Sequence, residues 1–262
     1  MAELSEGGKV FFDKVDYDKI PELAKRMESI FGFNKDIRKN AYLNWRITRS
    51  ANVGEQFWEL AEGYFQSAFW LTDGCLKDNS DKKADIIIFP ILFNLIHGIE
   101  LSLKAINSYL HMILECKPCI RGKHDIKQLS NEALNRLQDL KAKDKSEEMV
   151  SAITAMKLVQ RFIENIYDKT NDMTFARYPI NSSHEEMFYT ASKHNVVVDM
   201  DVLKTQIIYV CKMLNFIMDL LFNYWEYVCE MQKYEDDLRR EFERELQQEF
   251  ESEMRYYIPN EI

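Results

Sequence analysis

The run from Phe89 to Ile113, FPILFNLIHGIELSLKAINSYLHMI, is apolar almost all the way round a helix yet keeps one narrow polar stripe. At about 100° per residue, Asn94, His97, Glu100, Lys104, Asn107, Ser108 and His111 fall within roughly 140° of arc, and Ile, Leu, Phe and Ala fill nearly everything else. A helix with so little polar surface must be covered by neighbours on most sides, so the rest of the chain has to supply them. Its polar residues then need partners, because an unpaired buried charge costs on the order of several kcal/mol. Glu100 and Lys104 form an i,i+4 pair in the favourable order, with His97 one turn before Glu100. The stripe either lines a site or forms a satisfied internal network.

The company this helix needs is itself helical. Only 8 Gly and 5 Pro stand against many Leu, Ile, Lys, Glu and Met, which favours long helices and few turns. Strand-like alternation is sparse, the best local candidate being Val196 to Val198, so the fold class is all-α. With 262 residues, 46% apolar and 13% aromatic, the chain can bury a substantial core as one large domain with extensions. The net charge of −9 argues against nucleic-acid binding by the whole surface, but the charge is uneven. Residues 235 to 255 hold nine acidic and four basic residues, leaving the remainder only mildly acidic. Five scattered cysteines fit reduced thiols in a cytoplasmic protein. The apolar runs are short or interrupted by charge, so no membrane association is expected.

Along the chain, a helix is expected from Asp18 to Gly32, with Asp18 as N-cap and Pro21 in the first turn. Lys35, Arg38, Lys39, Arg46 and Arg49 then cluster around Tyr42 and Trp45. Such a pattern either contacts a nucleic-acid backbone or is a solvated helix face with the two aromatics packed inward. Asn52 to Leu76 predicts a long amphipathic helix, joined by KDNSDKK to the central one, which makes the two antiparallel. Cys116-Lys117-Pro118-Cys119 has the spacing of half a zinc site or a redox pair, yet no second such pair exists and neither metal nor cofactor is assigned. Helices follow from His124 or Asp125 to Leu140 and from Ser146 to Tyr167, and residues 168 to 186 break the pattern. From Asp201 to about Tyr257 there is neither Pro nor Gly. Beyond Met231 the apolar positions Tyr234, Leu238, Phe242, Leu246, Phe250 and Met254 are spaced by four, so the stripe winds instead of forming a heptad seam. Residues 230 to 257 are either a protein-contact surface or a solvated tail.

Three segments in order, HGIELSLKAI at 97 to 106, GKHDIKQL at 122 to 129 and FARYPI at 175 to 180, resemble the HEPN-like superfamily of bacteria and archaea. The similarity covers roughly residues 53 to 229. It implies an antiparallel, up-and-down helical bundle over 51 to 229, flanked here by an N-terminal helical extension over 1 to 50 and an acidic helical tail over 230 to 262. It also implies a homodimer or larger assembly. Many members of that superfamily are metal-independent endoribonucleases in toxin–antitoxin or antiphage defence, and others are silent RNA-binding or scaffold modules. The ribonuclease branch uses an Arg, four to six intervening residues and then a His, which Arg177 and His184 match with six residues between them. Arg can stabilise a pentacoordinate phosphate and His can move the 2′-hydroxyl proton. Pro179 disfavours one continuous helix there, and in a structural alternative Arg177 pairs with Glu100 or Asp125.

Two function classes follow. In the first, RNA is bound or cut at a cleft presenting Arg177 and His184, with His97, Glu100, Lys104, His124 and Asp125 as phosphate contacts or polar network, and Lys35, Arg38, Lys39, Arg46 and Arg49 as backbone contacts. In the second, the chain is a non-catalytic assembly or regulatory module that meets a protein partner through 230 to 257. Nucleotide binding has no phosphate loop to support it, and no hydrolase or zinc-protease motif occurs.

Overall fold

A computed structural model of the chain describes residues 17–25, 27–48, 52–115 and 124–257. Six α-helices follow one another: α1 Ile20–Lys25, α2 Val53–Lys77, α3 Ala84–Glu115, α4 Ile126–Lys143, α5 Glu147–Tyr167 and α6 Met200–Tyr257. The fold is an all-α helical bundle, and no strand occurs among the described residues. Val196 to Val198 is exposed, non-helical chain without a strand partner.

Local chemistry sets three of the six helix starts. Asn52, Asp125 and Ser146 are N-caps whose side chains accept from the backbone N–H of Glu55, Gln128 and Met149. α1 is far shorter than the expected Asp18 to Gly32. Met27, Ile30 and Phe31 are exposed and find nothing to pack against, and a short helix without tertiary cover is marginal. Residues 27–48 hold only one 3-10 turn, Ile37–Lys39, and Tyr42 and Trp45 lie against each other at the surface. This replaces the expected helix face with inward-packed aromatics. Arg49 and the Cys116/Cys119 pair lie outside the described residues.

α3 is the centre of the bundle, packing on α2, α4 and α6. Ile91, Leu95, Ile99, Leu103, Ile106 and Leu110 are fully buried along it. α2 runs antiparallel to α3, so that Asn52 and Gly54 meet Tyr109 while Phe65 meets Gly98. α5 runs antiparallel to α4, with Gln160 bonded to Asn131 and Tyr167 to Asp125. The α3–α4 contacts, by contrast, advance together: Glu100 meets His124, Asn107 meets Leu129 and His111 meets Glu132. These two helices therefore run in the same general sense.

α6 begins beside α2, where Lys204 pairs with Asp73 at 2.7 Å, and passes Tyr109 through Phe222. Its last fully buried side chain is Leu221, and beyond Val228 every described side chain is exposed. By length and composition α3 and α6 are each apolar enough to cross a membrane. In the fold α3 is the core helix, fully buried at Ile91, Leu95, Ile99, Leu103, Ile106 and Leu110, while Ile86 in its first turn is exposed.

Candidate functional site

The polar stripe of α3 divides along its length. Its lower part is a seam to α4. Asn107 Nδ2 donates to the carbonyls of Leu103 at 2.9 Å and Leu129 at 3.0 Å, and His111 Nε2 lies 3.3 Å from Glu132 Oε1. Buried amide and imidazole groups joined in this way fix the register of two helices. This half is an internal network in which the Asn107 amide nitrogen is satisfied while its buried Oδ1 has no partner.

The upper part opens to the surface. Glu100 is 7% exposed. Its Oε1 accepts from Lys104 Nζ and from His124 Nδ1, each at 2.8 Å, and His97 Nδ1 lies 3.7 Å from Oε2. Burial pushes this carboxyl upward, but the bonds from His97, Lys104 and His124, with the Lys104 charge, outweigh it and hold the group at about 2. Glu100 is thus an ionised hub. The Lys104 side chain is 10% exposed and its Nζ sits 5.8 Å from the centre of the Phe57 ring. The His124 side chain is 80% exposed. A carboxylate on Nδ1 requires the proton there, which leaves Nε2 of a neutral ring as an acceptor facing solvent.

His97 is boxed by aromatic rings. Tyr64 meets it edge-on at 4.5 Å and Phe93 stacks on it at 5.6 Å with 9° between planes. The Arg177 guanidinium lies 5.7 Å from the same Phe93 ring and 5.6 Å from Tyr178. Arg177, Phe93, His97, Glu100 and His124 therefore form one continuous row. Arg177 makes no ion pair with Glu100 or Asp125, so the structural alternative for it is replaced by stacking.

Arg177 caps the 3-10 turn Met173–Ala176, and His184 sits at the tip of the following turn with φ 63°. Asn181 organises that turn, accepting from the N–H of Ser183 and Glu185. Both side chains are exposed, and no hydrogen bond or ring contact joins them within the protomer. Asp125 is a helix cap and the acceptor of Tyr167 Oη at 2.9 Å. The backbone N–H of Gln128 is the main cause holding its carboxyl below the usual range, and burial and Asp125 push the Tyr167 phenol up to about 12. Lys35, Arg38, Lys39 and Arg46 lie on the N-terminal segment, and among the described residues none of them bonds to or pairs with this row. Arg38 and Lys39 pair with Asp36, and Arg46 pairs with Glu59 and Glu62 of α2.

Phe93, Tyr64 and Tyr178 escaped the sequence reading. The i,i+4 spacing of Phe93 and His97 was the available signal, since aromatic pairs at that spacing meet on a helix face. Compared with family models, curated proteins and solved structures, the chain matches none.

Proposed function

We propose that this chain is a HEPN-like, RNA-handling protein of the cytoplasm, of the kind used in toxin–antitoxin or antiphage defence, and that Arg177 and His184 act on the RNA phosphodiester. The observation that carries the reading is Arg177: exposed, resting on Phe93 and Tyr178, its charge not taken up by a carboxylate. Such a guanidinium is available to a phosphate, and the exposed Tyr178 ring offers a base a stacking surface.

In cleavage, His184 takes the proton of the 2′-hydroxyl as that oxygen attacks the adjacent phosphorus. Arg177 stabilises the added negative charge, and the 5′-oxygen leaves taking a proton from water, giving a 2′,3′-cyclic phosphate, while the proton held by His184 returns to the hydroxide so formed. The partner of each residue comes from a second copy, which accounts for two exposed side chains that do not meet within one.

The purified chain and its Arg177→Ala/His184→Ala variant are incubated with mixed tRNA and mRNA in EDTA, and the cut ends are mapped. Cleavage by the parent alone, leaving cyclic phosphate ends, supports the reading. Equal cleavage by both overturns the assignment to this pair.

A second reading, a non-catalytic assembly module acting through the tail, is favoured by a different observation. Tyr234, Leu238, Phe242, Leu246 and Phe250 are all exposed on one helix.

A further inference from the structure

Two surfaces lack a partner within the protomer, and their charges are complementary. One is the tail of α6. Its exposed apolar residues at 234, 238, 242, 246 and 250 advance by about 40° per step, making a stripe that winds around the helix. The residues three before and three after Leu238, Phe242 and Leu246 flank that stripe at about 60°. They are Glu235, Glu241, Glu243, Glu245, Glu249 and Arg239. The stripe is therefore rimmed by glutamate on both sides.

The other surface is the segment 27–48. Ile30 is 90% exposed and Trp45 77%, and Phe31, Phe33, Ile37 and Leu43 are exposed with them. The intervening charges are Lys35, Arg38, Lys39 and Arg46 against Glu28 and Asp36. So much contiguous apolar surface on a folded chain marks an interface.

We propose that segment 27–48 of one copy docks on the glutamate-rimmed stripe of a second copy's α6 tail, reciprocally, to make a two-fold dimer. This names the occupant of the surface on which the second reading above rests.

Shape agrees with charge. A straight helix cannot follow a stripe that drifts by about 40° per step, whereas irregular chain can. The stripe from Tyr234 to Phe250 is about 24 Å long at about 1.5 Å per residue. The Asn34–Asn40 bonds close a loop within this segment, and the chain on either side of that loop, Met27 to Asn34 and Asn40 to Trp45, reaches about 40 Å, enough to span the stripe. The pairs of Arg38 and Lys39 with Asp36 lie at the surface, where such pairs contribute little, so exchanging them for tail glutamates costs little.

The competing occupants fit less well. Two tails laid stripe to stripe would bring their glutamate rims together. An anionic lipid surface meets the same repulsion, since helices that lie on membranes carry basic flanks. The chain's own tail points the wrong way. Tyr109 touches both Asn52 and Phe222, so α2 begins at the end of the bundle from which the tail departs. Arg46 ties the segment back along α2, to Glu62 at 2.9 Å, while the tail continues outward. The tail of an antiparallel second copy runs beside that flank.

The test uses the full chain. Equal amounts of ¹⁴N- and ¹⁵N-labelled protein are mixed and treated with a zero-length carbodiimide, and mass is measured by light scattering. The expected result is a dimer whose Lys35 and Lys39 are linked to Glu241, Glu245 or Glu249 in mixed-label pairs. Glu241→Lys/Glu245→Lys/Glu249→Lys should weaken association at least about tenfold, and adding Lys35→Glu/Arg38→Glu/Lys39→Glu should restore it. A monomer at all concentrations, same-label links alone, or failure of the compensating set to restore association overturns the proposal. A chain ending at Met231 separates the two levels. If it still dimerises as tightly as the full chain, the tail is not the interface between copies and the pairing proposed here falls, the association then being left to the Arg177 and His184 face of the first reading. If it is monomeric while the links in the parent are tail to tail, only the pairing proposed here falls.

Discussion

Glu100 holds three nitrogen groups from two parts of the chain, and its contribution has a definite pH signature. Its folded value of about 2 lies below the ordinary 4.5, so its stabilisation is complete above about pH 4.5 and is lost as the pH falls through about 2. Glu100→Gln should therefore cost about 3 kcal/mol at neutral pH, mostly because Lys104 is left buried without its counter-charge. Denaturant titrations should show that cost shrinking from about pH 5 to about pH 2, and Glu100→Gln/Lys104→Met recovering part of it. A cost independent of pH would mean that Glu100 is not the ionised centre of the cluster. The Glu100–Lys104 half of this site was legible in the sequence because helical spacing alone brings the two together. Spacing alone does not bring in His124, which stands just before the Asp125 cap of α4 and was marked through the resemblance, or the ring contacts that hold Arg177.

At the scale of the element, the close approach of α2 to α3 depends on one missing side chain. A Cβ on Gly54 would stand 2.9 Å from Tyr109 Cε2, and Tyr109 is fully buried with its hydroxyl 3.1 Å from Asn52 Nδ2. The ring cannot swing aside without breaking that bond. Gly54→Ala should thus destabilise the bundle by about 1–3 kcal/mol, although alanine is the better helix former. Gly63, on the exposed side of the same helix, has nothing within 4 Å of the corresponding position. There, Gly63→Ala should stabilise by up to about 1 kcal/mol. Thermal melts of the two variants should move in opposite directions, and a shift of the same sign in both would refute the packing argument. Helix starts with Asn, Asp or Ser caps were readable to within a residue or two because capping is local. The start of α3 and the length of α1 were not, because the first depends on Asn79 accepting from Ala84 N–H and the second on the absence of anything to cover Met27 and Ile30.

The whole molecule is a packed bundle with two appendages that its core does not require. A winding, four-spaced apolar stripe could be read from sequence, since periodicity survives without tertiary context. The shared sense of α3 and α4 could not, because it is fixed by cross-helix partners such as Asn107 with the Leu129 carbonyl. Core and appendage meet in α6 just after Leu221, the last of the buried row Leu214, Ile217, Met218 and Leu221. A chain ending at Met231 keeps that row intact. Compared with the full chain at dilutions where both are monomeric, its melting temperature should be unchanged within a degree or two, since surface changes away from the core move stability by about 0.5 kcal/mol at most. A chain ending at Cys211 loses all four side chains, each worth about 2–5 kcal/mol when removed from a core, against a total stability of about 5–15 kcal/mol. It should fail to fold cooperatively. If the Met231 truncation also melted the bundle, the tail would have to contribute to the core from outside it, and the division of α6 at Leu221 would be wrong.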